Sequence, residues 1–72
     1  MFNAEIYPGD GEAAMAIDCS IPLLSGETDQ PYLSKLRSNL TKSFATFKPQ
    51  FLLFNAGTDC LRGDPLGRLD IS

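Results

Sequence analysis

The sequence contains no histidine among its 72 residues. A catalytic zinc site needs three protein ligands, usually including histidine, and nucleophilic serine and cysteine sites use histidine as their base. We therefore expect that these residues cannot, by themselves, form such a zinc site, a Ser-His-Asp triad or a Cys-His pair. At this length the chain amounts to one small domain at most.

Cysteine is scarce as well. Cys19 and Cys60 are the only two, they can form a single bridge, and their spacing does not match a metal site. We expect both thiols to be reduced and the protein to be intracellular. Cys60 has no base to activate it, so a buried structural thiol is the interpretation we prefer for it.

The chain has fewer positively than negatively charged side chains. Six Lys and Arg residues face nine Asp and Glu residues, for a net charge of -3. Direct nucleic-acid binding needs a basic patch, and this composition argues against one. No apolar run approaches the roughly 18 residues of a membrane span, and the N-terminus lacks the basic region of a signal peptide. Neither nucleic acid nor membrane is therefore an expected partner.

The first half of the chain predicts a short helix and a short strand. Asp10 is placed to cap a helix over residues 11–17, because a carboxylate at that position accepts hydrogen bonds from the first turn. Residues 20–24 predict a strand. Pro22 cannot donate a ladder hydrogen bond, so this strand should be irregular or lie at an edge.

A longer helix is the strongest prediction. Pro31 suits its first turn, Thr28 or Asp29 can cap it, and Pro49 ends it. Its apolar residues are spaced 3, 4, 4 and 3 apart and form one stripe that should face a sheet: Leu33, Leu36, Leu40, Phe44 and Phe47.

The run Phe51–Asn55 predicts a strand buried on both faces, because it is apolar, short and bounded by Pro49 and Gly57. With the strand at 20–24 and the long helix, it would form a parallel βαβ unit and an α/β fold. Ligands bind beyond the carboxyl ends of such strands, which makes Asp59 the leading functional candidate.

Two of the aspartates also have purely structural interpretations. Asp59 could cap a loop turn instead of acting in a site, and Asp64, between Gly63 and Pro65, favours an Asx-turn. Residues 69–72 alternate like the start of another element, so we expect a truncated domain.

Two segments resemble the zinc-dependent histone deacetylase family, with the class IV branch and its bacterial and plant relatives looking most similar. The first is Asn55-Ala56-Gly57-Thr58-Asp59-Cys60-Leu61, continued by Gly63-Asp64-Pro65-Leu66-Gly67 and Leu69-Asp70-Ile71-Ser72; the second is Ile6-Tyr7-Pro8-Gly9-Asp10. The resemblance implies that residues 1–72 are a fragment of a deacetylase catalytic domain. It also implies part of the three-layer α/β/α, arginase-like deacetylase fold.

The resemblance further implies that Asp59 is a zinc ligand. The other two ligands would come from an Asp-x-His motif before the Ile6 segment, and a Gly-Gly-Tyr tyrosine would follow Ser72. Glu5 stands where close relatives carry a histidine. The implied reaction is zinc-assisted removal of acyl groups from lysines of histones or other proteins, in the nucleus or cytoplasm. The alternative is a truncated, non-catalytic segment that at most binds a partner.

Overall fold

The structure, a computed structural model, describes all residues from Met1 to Ser72. In chain order its elements are strand β1 (Phe2–Asn3), helix α1 (Gly11–Ala14), strand β2 (Pro22–Leu23) and helix α2 (Asp29–Phe47). The two strands pair in parallel, with Phe2 opposite Pro22 and Asn3 opposite Leu23. Because α1 connects two parallel strands, the expected α/β class with a parallel βαβ connection is confirmed.

Helix α1 begins as the sequence predicts. The Asp10 carboxylate accepts hydrogen bonds from the amides of Glu12 (3.0 Å) and Ala13 (3.1 Å) and so caps the first turn. The helix ends at Ala14 rather than at residue 17. From Met15 to Ile17 each amide bonds the carbonyl three residues back, a tighter turn that often closes short helices.

Strand β2 is shorter than the predicted strand at 20–24. Its pairing with β1 uses the amides of Phe2 and Ala4, which donate to the carbonyls of Ile21 (3.2 Å) and Leu23 (3.1 Å). Pro22, which has no N–H group, therefore does not have to donate a hydrogen bond to β1. A two-stranded sheet has an edge on both strands, so the predicted edge position of Pro22 is confirmed.

Helix α2 has the predicted bounds, with Thr28 at its N-cap and Lys48 at its C-cap in the left-handed region (φ 47°). The stripe does not pack as predicted: no residue of α2 is buried. A 19-residue helix is about 28 Å long, whereas a two-residue strand spans about 7 Å. The sheet in this chain is thus too small to cover the stripe. No helix combines the length and hydropathy that crossing a bilayer requires.

The predicted strand Phe51–Asn55 is not formed, and that prediction is wrong for this chain. Residues 51–58 have no regular secondary structure, and the side chains from Phe51 to Phe54 are 66% to 86% exposed. A strand needs a neighbour for its N–H and C=O groups. Residues 51–55 pair with neither open edge of the β1–β2 sheet, so the βαβ unit predicted through them is absent, and the parallel connection that the structure has is β1-α1-β2.

The buried centre is small and lies between the sheet and the C-terminal segment. Its members are the side chains or backbone of Asn3, Leu23, Gly67 and Leu69. Two backbone hydrogen bonds attach the C-terminal segment to the connection before α2: Gly26 donates to Arg68 (2.7 Å), and Asp70 donates to Glu27 (2.9 Å). The segment that carries the candidate motif is therefore anchored next to the sheet.

Candidate functional site

An open groove of about 700 Å³ runs along the face that Asp59 occupies. Its walls are mostly hydrophobic, and Asp10 and Asp59 are the two acidic residues among them. Residues 6–10, the first motif, and Asn55, Gly57 and Asp59 of the second all contribute to the lining. The fold thus brings motifs from opposite ends of the chain to one surface.

Asp59 lies in a turn, in which the amide of Leu61 donates to the carbonyl of Thr58 (3.2 Å). The expected position beyond a strand end is not realised, because the preceding residues form no strand. Asp59 is among the residues that line the groove. The Asp59 carboxylate is exposed and belongs to neither of the chain's two ion pairs. Its role as a zinc ligand stays a prediction.

Two other motif aspartates, Asp10 and Asp64, have structural roles. Asp10 is occupied by capping α1. Asp64 accepts hydrogen bonds from the amides of Leu66 (2.8 Å) and Gly67 (3.1 Å), so the predicted Asx-turn is confirmed. Of the acidic side chains on the groove, Asp59 is therefore the one left available for a ligand.

A close backbone approach fixes the turn that carries Asp59. Gly67 is buried, and a Cβ atom at its position would overlap the backbone carbonyl of Asp59. Only glycine allows two chain segments to approach so closely. Gly67 therefore sets the distance between the Gly63–Gly67 loop and the Asp59 turn.

The Gly67 carbonyl is in turn held by Asn3. The Asn3 side chain is 7% exposed, and its Nδ2 donates to the Gly67 oxygen (2.8 Å) and to Ser25 Oγ (3.3 Å). Its Oδ1 accepts from the amide of Glu5 (3.0 Å). Sequence reasoning missed Asn3. A lone asparagine in an extended entry segment carries no periodic or motif signal.

Two acidic side chains, Glu5 and Glu27, hold the connection between β2 and α2. Glu5 accepts from the amide of Ser25 (3.0 Å), and the hydrogen bonds from Ser25 lower the pKa of Glu5, with the charge of Arg68 acting in the same direction. Glu27 pairs with Lys35 (2.6 Å), and that hydrogen bond is the main cause of its lowered pKa. The Glu5 carboxylate thus has a structural role, because it fixes the backbone at Ser25.

The C-terminus closes onto the start of α2. Asp29 accepts hydrogen bonds from the hydroxyl and the amide of Ser72, and these lower the pKa of Asp29. Arg62 pairs with Asp70 (2.5 Å), which raises the pKa of Arg62. Parallel bridges join Thr28 to Asp70 and Leu61 to Ile71. The element expected from residue 69 onward is present only as these isolated bridges.

The donor set does not fit a complete zinc site. No group of three His, Cys, Asp or Glu side chains is close enough to hold a metal ion. Both cysteines are free thiols; Cys19 is exposed, and Cys60 is half-buried rather than buried as expected. Asp59 can supply one oxygen ligand, and the residues of this chain do not supply the other two.

Comparisons with known proteins agree on one family. The family model described as "Histone deacetylase domain" matches residues 1–72. "Histone deacetylase 2" of Arabidopsis thaliana is 47% identical over 72 residues, which are 100% of this chain and 19% of that protein. The chain therefore spans about a fifth of the length of this curated relative. No solved structure is significantly similar to it.

Proposed function

We propose that this chain, which belongs to the histone deacetylase domain family, is part of the catalytic domain of a zinc-dependent lysine deacetylase. Residues 1–72 would be one section of that domain. The observation that carries the proposal is the position of Asp59, which lies within the family motif, lines the groove beside the Ile6–Asp10 motif and forms no ion pair.

In this proposal Asp59 is one of three protein ligands of zinc. The chain lacks histidine and has no other acidic or thiol pair around Asp59, so the two remaining ligands belong to other residues of the whole domain. Zinc, when bound, would polarise the amide carbonyl of the substrate and activate a water molecule. The contribution of this chain is to present a hard anionic oxygen from a fixed turn.

The proposed substrates are acetylated or otherwise acylated lysines of histones or other proteins, and the proposed role is chromatin regulation. The name of the Arabidopsis relative and the family description support this substrate class. We further propose that the protein belongs to the class IV-like branch and acts inside the cell, in the nucleus or cytoplasm. The net charge of -3 supports a partner other than nucleic acid.

A second candidate is a truncated, non-catalytic segment that at most binds a partner. The exposed run Phe51–Phe54 favours it, because large exposed apolar patches often mark interaction surfaces. The genomic sequence on both sides separates the two candidates. If the same reading frame encodes an Asp-x-His motif upstream and a Gly-Gly-Tyr motif downstream, the deacetylase is supported. In-frame stop codons immediately on both sides would support the non-catalytic segment.

The direct test is a chimera in which residues 1–72 replace the matching section of the Arabidopsis relative. Asp59→Asn keeps the shape of the side chain and removes its charge, so zinc affinity and acetyl-lysine turnover should fall by more than the ~10–100-fold typical of an outer-shell change. Asp18→Asn is the control, because Asp18 is an exposed aspartate outside the groove lining. Equal zinc affinity and turnover in both variants would exclude Asp59 as a ligand.

A further inference from the structure

We propose that Asn3 and Gly67 are positioning residues for Asp59, an inference that rests on the proposed zinc role of that carboxylate. Neither residue belongs to the ligand set. Both act through the backbone of the Asp59 turn, and they connect it to the parallel sheet.

The first step is the contact between Gly67 and Asp59. The absence of a side chain at Gly67 lets its backbone lie directly against the Asp59 carbonyl, and a methyl group there would force the two segments apart. The direction in which the Asp59 side chain leaves the turn depends on that backbone. A displacement of the Gly67 backbone would therefore move the Asp59 backbone that it contacts, and the carboxylate would move with it.

The second step is the hydrogen bond that holds Gly67 in place. Asn3 Nδ2 donates to the Gly67 carbonyl (2.8 Å), and both residues are buried. Asn3 itself is fixed by β1, where it lies opposite Leu23, and by the amide of Glu5. A buried carbonyl that loses its donor remains unsatisfied, so the bond has few alternatives. Asn3 thus fixes the position of the Gly67 loop relative to the sheet.

These contacts bear on how precisely the Asp59 carboxylate is positioned. A metal ligand must be held within about 0.5 Å of its working position, and outer contacts supply that restraint. The preceding strand predicted from the sequence is absent, and Asp59 forms no ion pair of its own. The contacts from Asn3 to Gly67 and from Gly67 to Asp59 supply such a restraint, beside the backbone hydrogen bond from Ile71 to the Cys60 carbonyl (3.3 Å).

The thiol of Cys60 reports on this restraint in the 72-residue chain, because Cys60 is half-buried and follows Asp59, whereas Cys19 is exposed. We would measure the labelling rate of each thiol in Asn3→Asp, which keeps the side-chain shape but removes the donor, and in Gly67→Ala. Thr41→Val is the matched control: it removes a side-chain hydrogen bond to the carbonyl of Arg37 within α2 (2.9 Å) and leaves both thiols without a changed partner.

We expect Cys60 to label several-fold faster in Asn3→Asp and Gly67→Ala, with an unchanged Cys19 rate and unchanged helix content by circular dichroism. Thr41→Val should leave both labelling rates unchanged. An unaltered Cys60 rate in both variants would overturn the proposal. So would a parallel rise at both thiols with loss of helix, since that result describes general unfolding rather than positioning.

A second readout uses the chimera described above and measures zinc affinity by competition with a chelator. Asn3→Asp and Gly67→Ala should weaken zinc binding by about 10–100-fold relative to the Thr41→Val control, with every variant measured well below its own melting temperature. If Asp59→Asn weakens zinc binding and the two positioning variants do not, the inference alone fails. If Asp59→Asn has no effect, the proposed function itself fails.

Discussion

Leu23 is the side chain on which the small buried centre depends most. It is 1% exposed and is the one large side chain that the fold buries completely. Truncation of a buried leucine to alanine costs about 2–5 kcal/mol, because transfer energy is lost and a cavity remains. The free energy of unfolding of a small domain is about 5 kcal/mol or less. Leu23→Ala should therefore remove most of the free energy of unfolding and release the C-terminal segment from the sheet.

Urea unfolding followed by circular dichroism measures this loss. Leu53→Ala is the matched control, because it makes the same chemical change at a side chain that is 86% exposed. Exposed positions of this kind usually change stability by less than about 0.5 kcal/mol. If Leu53→Ala cost as much as Leu23→Ala, the run at residues 51–54 would be packed in solution and our description of the buried centre would be wrong.

The remaining predictions concern acid and metal. The lowered pKa of Glu27 means that its pairing with Lys35 stabilises the fold above the ordinary glutamate pKa of 4.5 and is lost as the pH falls through the lowered value. Urea midpoints from neutral pH into the acid range should fall less in Glu27→Gln than in the parent chain, and identical slopes would contradict this. Zinc titration and an acetyl-lysine peptide assay of the 72-residue chain should show neither sub-micromolar binding nor turnover, with Asp59→Ala as the control. Binding or turnover that Asp59→Ala abolishes would mean that the site is assembled in some other way.

Features that depend on neighbouring residues could be predicted from the sequence. The caps and turns at Asp10 and Asp64 are interactions between a carboxylate and amides two or three residues ahead. The C-terminal bound of α2 follows from Pro49, whereas the Thr28 side chain at the N-cap forms no capping hydrogen bond. For the two carboxylates, the sequence contains both partners of each interaction within a few positions.

Features that depend on distant partners could not be predicted in the same way. The apolar runs on α2 and at residues 51–54 show which surface avoids water, but not what covers that surface. A strand exists only if another strand bonds to it, and no sequence signal placed β1 opposite β2. The hydrogen bond from Asn3 to Gly67 joins residues 64 positions apart, and neither residue belongs to a periodic pattern.

Asp59 lines the groove although the strand predicted before it is absent. Its place on the groove does not depend on residues 51–55, because the turn is fixed from the other side, by the buried backbone of Gly67 and the segment that follows it. That segment is attached to residues 26–29 by backbone hydrogen bonds and by the Ser72–Asp29 contact, which need no large apolar core. Polar anchoring from the C-terminal side is therefore sufficient to bring Asp59 to the groove. What it leaves open is the apolar run before Asp59, and the proposed larger domain is the simplest structure that would bury both that run and the stripe on α2.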